Sequence, residues 1–129
     1  MARRTIAVGF AAAMLLAACG GGGGGGSTTG GSCSDLSSGS TFTITTQNMK
    51  FQPSCVIAKR TQGLTLMNKD AIPHTFTIVG TSVDVPLDPS TTKNLAPINN
   101  GIKAGTYIFY CKIHGHPDGT GMAGKITVF

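Results

Sequence analysis

From Thr41 to Phe129 short runs rich in Thr, Ile, Val, Phe and Tyr are broken at close intervals by Gly, Pro and Asn. No segment there sustains an apolar period of 3.6 residues, so the pattern is that of a sheet protein and not of a helix bundle. Strands are expected near Thr41–Thr46, Val56–Ala58, Leu64–Asn68, His74–Val79, Thr91–Leu95, Thr106–Cys111 and Gly124–Phe129. Several short strands at this spacing predict an all-β sandwich. Pro86, Pro89 and Pro97 confine the middle of the chain to turns and edges. Residues alternate faces along a strand. His74, Phe76 and Ile78 therefore share one face, as do Tyr107, Phe109 and Cys111. With both faces turned inward, His74 and Cys111 meet at one end of the core from facing strands. The segment from Lys112 to Gly121 is then a loop folded over that end.

That loop carries chemistry. Cys111 is followed by His114, His116 and Met122, and His74 lies far upstream. Each residue alone has a plain reading: Cys111 a buried thiol, His74 a surface residue at a strand start, Met122 core filler. Together a thiolate, two imidazoles and a thioether are the donor set of a mononuclear blue-copper site. A single Cys with a Met ligand suits zinc poorly. The second imidazole is open between His114 and His116. The shorter spacing leaves Asp118-Gly119-Thr120-Gly121 free to turn back to Met122, and His114 is the preferred ligand, with His116 the alternative at the solvent edge.

Three motifs extend the pattern: N-x-D-x-x-x-H-x-F at Asn68, Asp70, His74 and Phe76; G-T-Y-x-F-x-C from Gly105 to Cys111; and G-M-x-G at Gly121, Met122 and Gly124. In this order the chain from about Thr41 to Phe129 resembles the cupredoxins, a family whose members use both Cys-x2-His and Cys-x4-His spacings. The resemblance implies a Greek-key β-sandwich holding one copper ion on His74, Cys111, His114 and axial Met122. It implies a carrier of single electrons between redox proteins, with Cu(I) handling as the alternative and a metal-free adhesion sandwich last. Thr75 is expected to bond the Cys111 sulfur through its N–H or hydroxyl, and so to tune the site. Ala71, Ile72, Pro73, Pro117 and Ala123 are expected to form an apolar docking patch around the ligand edge.

The chain has 129 residues, enough for one domain. Arg3 and Arg4 precede an apolar run from Ile6 to Ala18, shorter than the ~20 residues a spanning helix needs. It reads as a signal segment, 1–18. Its end, Leu16-Ala17-Ala18-Cys19, resembles a bacterial lipobox, which implies lipid on Cys19 and an extracytoplasmic, membrane-anchored protein. Residues 19–32 are a Gly/Ser/Thr-rich tether with an r.m.s. reach of ~20 Å. The domain is expected over 33–129. With Cys19 lipidated and Cys111 on the metal, Cys33 and Cys55 remain in an oxidising compartment and are expected to pair. The F-x-P-S-C setting of Cys55 has counterparts among cupredoxin-like proteins.

Of ten Lys and Arg, eight follow Arg4, against five Asp and no Glu, a formal +3. The cations are scattered, and no basic cluster with interleaved aromatics suggests nucleic acid. No nucleophile with a plausible triad stands apart from the copper donors, so the expectation is a monomeric binding protein and not an enzyme.

Overall fold

The computed structural model describes residues 31–129. The signal segment, Cys19 and the tether through Gly30 lie outside the described residues. The strands are β1 (Ser34–Asp35), β2 (Thr41–Gln47), β3 (Lys50–Gln52), β4 (Cys55–Ala58), β5 (Gly63–Asn68), β6 (His74–Ile78), β7 (Asp84–Leu87), β8 (Thr92–Leu95), β9 (Gly105–Gly115) and β10 (Gly121–Val128). One 3-10 turn, Ile98–Asn100, precedes β9. Six strands form one sheet in the order β1-β4-β10-β9-β6-β7, and four form the other, β3-β2-β5-β8. This is the expected all-β sandwich.

Alternation builds the layers. Along β2, Phe42, Ile44 and Thr46 are buried while Thr41 and Thr43 are exposed. Phe42, Ile44, Leu64 and Leu66 of the smaller sheet face Val56, Phe76, Ile78, Phe109 and Ile126 of the larger one. Each large apolar side chain so buried contributes about 1.5–3 kcal/mol. Phe51, Phe76 and Phe109 form an aromatic cluster, with centroids 5.1–5.9 Å apart. Pro86 lies in β7, at the edge of the larger sheet, where a missing N–H is tolerated.

Two expectations are corrected. His74 and Cys111 do not come from facing strands: β6 and β9 are antiparallel neighbours in one sheet, with Thr77 opposite Tyr110 and Ile78 opposite Phe109. Nor is Lys112–Gly121 all loop. Strand β9 runs on through Gly115, and Gly121 of β10 pairs with Gly115. Only residues 116–120 lie between the two strands. The pairing is possible because both partners are glycines: a Cβ on Gly115 would overlap the backbone of Met122, and one on Gly121 would lie 2.6 Å from the His114 carbonyl oxygen. Gly121 also has φ +71°, a conformation that favours glycine.

Candidate metal centre

The candidate metal ligands are placed by strand ends. His74 opens β6 opposite Leu87 of β7. Cys111 follows the last β6–β9 pair, and His114 sits three residues on in the same strand. His74 and Cys111 are buried and His114 is half-buried. Their donors converge: His74 Nδ1 and His114 Nδ1 are 3.2 Å apart, and Cys111 Sγ lies 3.7 Å from the first and 3.6 Å from the second. The centre of that triangle is about 2 Å from each donor, the length of a first-row metal–imidazole bond. The donors therefore fit one ion, and their chemistry is compatible with a blue-copper ligand set.

The imidazole of His74 is held from behind. Its Nε2–H donates to Asp70 Oδ2 at 2.8 Å, which turns the unprotonated Nδ1 toward the cluster. Asp70 also accepts the N–H groups of Asn48 (2.7 Å) and Met49 (3.0 Å) in the β2–β3 turn. Burial acts to raise the Asp70 pKa, but the Met49 N–H, the His74 ring and the Asn48 N–H outweigh it and hold the carboxyl below its ordinary value. Asn68 fixes the connecting loop. Its Oδ1 accepts the Thr46 hydroxyl and the Asp70 N–H, and its Nδ2 donates to the carbonyls of Ile72, Leu87 and Asp88.

Around the sulfur, the Thr75 N–H donates to Cys111 Sγ at 3.3 Å. The Thr75 hydroxyl serves a different purpose, accepting the Lys112 N–H at 2.8 Å. It joins β6 to β9 beyond their last paired residues. Lys112 pairs with Asp84, whose other oxygen accepts the Thr77 hydroxyl at 2.7 Å.

Met122 is buried at the start of β10, beside the bulge between Gly121 and Ala123. His116 stands apart from the triangle. It is exposed and belongs to the turn, its N–H donating to the Thr120 carbonyl at 3.0 Å and its carbonyl accepting from Gly119 at 3.1 Å. Asp118 Oδ1 accepts both the N–H and the hydroxyl of Thr120 and completes that turn. Cys33 and Cys55 are joined in a disulfide, and Cys111 is free. Ala71, Ile72, Pro73 and Pro117 are exposed and Ala123 is half-buried. The sequence reading missed the exposed Met49 and Ile113. It also gave Asp70 no role, although a carboxylate four residues before a candidate ligand His was a sign of one.

Comparison with known proteins gives a consistent picture. The profile of the cupredoxin-like domain family matches residues 23–128. No curated protein gives a significant match. Among solved structures, a reduced amicyanin variant matches with a TM-score of 0.51 at 24% identity, covering 69% of this chain and 82% of its own. Amicyanin from Paracoccus versutus matches with a TM-score of 0.51 at 18% identity, covering 69% and 81%. A copper-containing nitrite reductase from Thermus scotoductus gives 0.53 at 18% identity, but only 22% of that enzyme is covered. These structural likenesses are likenesses of fold. On its two-sheet architecture and on a family match spanning most of its length, the chain belongs to the cupredoxin-like domain family.

Proposed function

We propose that this chain is an extracytoplasmic blue-copper protein that carries single electrons between redox partners. The observation that carries the reading is the triangle of His74 Nδ1, Cys111 Sγ and His114 Nδ1, all within 4.8 Å of one another. These three are the proposed principal ligands, with Met122 axial and His116 at the solvent edge. Bound copper would supply a reversible one-electron Cu(II)/Cu(I) couple. The chain's own part is to hold the donors still. Asp70 orients the His74 ring, and the Thr75 N–H accommodates charge on the sulfur. The strands behind them exclude water. Electron exchange is assigned to the surface around the ligand edge, where Ile72, Ile113 and Met49 are exposed. Lipid on Cys19 and the 19–32 tether would keep a monomeric domain, 33–129, within reach of membrane-associated partners. The fold neighbours include an enzyme, but the metal-ligating cluster found among the described residues is His74, Cys111 and His114, a donor set that suits a one-electron copper couple and supports a carrier.

Visible spectroscopy of the purified full-length chain with Cu(II) tests this. An intense thiolate-to-copper band is expected, absent in Cys111→Ser. His114→Gly should lose or shift the band and regain it with added imidazole, while His116→Gly keeps it. A chain that holds only colourless Cu(I) would be a copper-handling protein instead. Rescue by imidazole in His116→Gly, and not in His114→Gly, would move the ligand role to His116.

A further inference from the structure

At the pole opposite the donor triangle is a cavity of about 550 Å³. It lies between the β4–β5 turn (Arg60), the β6–β7 turn (Gly80–Ser82), the segment from Asn99 to Lys103, and Tyr107 of β9. His74 opens β6 and Gly80 lies just past its other end. The length of a strand therefore separates the two sites, roughly 15–20 Å at 3.3 Å per residue.

The lining is cationic. Arg60 and Lys103 both face the cavity, and no acidic residue lines it among the described residues. Asp70 is spent on the His74 ring and Asp84 on Lys112. The Nε atom of Arg60 is buried and, among the described residues, has no hydrogen-bond partner. Nε itself is closed to anything in the cavity, so a ligand there meets the guanidinium through its terminal N–H groups, on a group that stays charged. The backbones carrying both cations are fixed: the Arg60 N–H donates to the main-chain oxygen of Phe129 at 3.0 Å, and the Tyr107 hydroxyl donates to the Lys103 carbonyl at 3.0 Å. Asn99, Asn100 and Ser82 add neutral polar groups to the wall. The volume falls in the range of small-molecule sites and exceeds what a bare ion fills.

We propose that this cavity binds a phosphate ester. The phosphate oxygens accept from Arg60, whose planar fork suits them, and from Lys103. The polar body of the ester meets Asn99, Asn100 and Ser82. Two cations without a facing acid match the charge of such a group. The source is either a soluble phosphate ester or the headgroup of an acidic lipid, since both present the same oxygens.

The test is NMR titration of the full-length chain with glycerol 3-phosphate at constant ionic strength, reading the amides of Gly80, Gly101 and Lys103. Saturating shifts are expected there and not at the amides of Thr75 and Lys112 beside the donor triangle. Arg60→Gln should weaken the affinity at least tenfold. The same amides are read in phosphatidylcholine bicelles with and without phosphatidylglycerol. Saturation by glycerol 3-phosphate identifies a soluble ligand. Shifts that need phosphatidylglycerol, and vanish in Arg60→Gln, identify a headgroup. Lys103→Gln, on an exposed residue, keeps the test open if Arg60→Gln does not fold. Shifts that grow linearly, that succinate reproduces equally, or that neither substitution alters would overturn the proposal.

Discussion

Asp70 joins three pieces of structure through one carboxylate: the ring of His74 and two N–H groups of the β2–β3 turn. That turn contains Asn48 and Met49, both at positive φ, so their amides converge on a single acceptor. A carboxylate behind a ligating imidazole raises its basicity and fixes its orientation. Asp70→Asn keeps the size and one acceptor oxygen but removes the negative charge. The expected result is a copper affinity about 10–100-fold lower and a higher reduction potential, because the lost charge stabilised the oxidised site more than the reduced one. Voltammetry and copper competition measure both. An unchanged potential would reduce Asp70 to a structural clamp. The sequence carried Asn68, Asp70 and His74 as letters at fixed spacing, and the donor types pointed to copper. It could not show that Asp70 reaches the far ring nitrogen, because that contact depends on a loop which Asn68 ties to Ile72, Leu87 and Asp88.

Strand β9 is the element that builds the centre. Its first half packs Phe109 into the core, and its second half carries Cys111 and His114 past the end of the β6 pairing. Period-two alternation locates the first half in the sequence. It fails for the second half, where Lys112 and Ile113 are both exposed and the glycines read as loop. What makes strand of it is the close approach of Gly115 and Gly121, a long-range fact. Gly121→Ala tests this, since it forces a Cβ against the His114 carbonyl at positive φ. A loss of about 1–3 kcal/mol is expected in denaturant unfolding, together with weaker copper binding. Gly80→Ala is the control. It has φ +75° and no atom within 4 Å of the added Cβ, so it should cost stability while leaving the metal site alone. Equal copper affinity in the two variants would mean that the glycine pairing does not position His114.

At the scale of the whole molecule, charge and covalent closure act on a sandwich that holds the donors from one side. Asp35, Asp70, Asp84 and Asp118 all have pKa values below the ordinary 3.8. Groups depressed in the folded state bind more protons when unfolded, so their stabilisation is present above the unfolded value and is lost as pH falls through the folded ones. The melting temperature of the metal-free protein should therefore drop below about pH 4. Asp84→Asn should melt lower than wild type at pH 6 and alike at pH 2; a difference that persists at pH 2 would assign the effect to packing. The disulfide acts differently. It ties the two-residue strand β1 to β4 across a separation of 22 residues, and its stabilisation comes from restricting the unfolded chain, ~3 kcal/mol on the loop-entropy account. Cys55 is paired in register with Lys125, while the donors lie on β6 and β9. The double substitution Cys33→Ser, Cys55→Ser should lower the urea midpoint by that amount of stability and leave the visible spectrum of the copper-loaded protein unchanged. A spectrum altered along with the midpoint would show that the edge of the larger sheet transmits strain to the donors. The frame would then be one mechanical unit from β1 to β6.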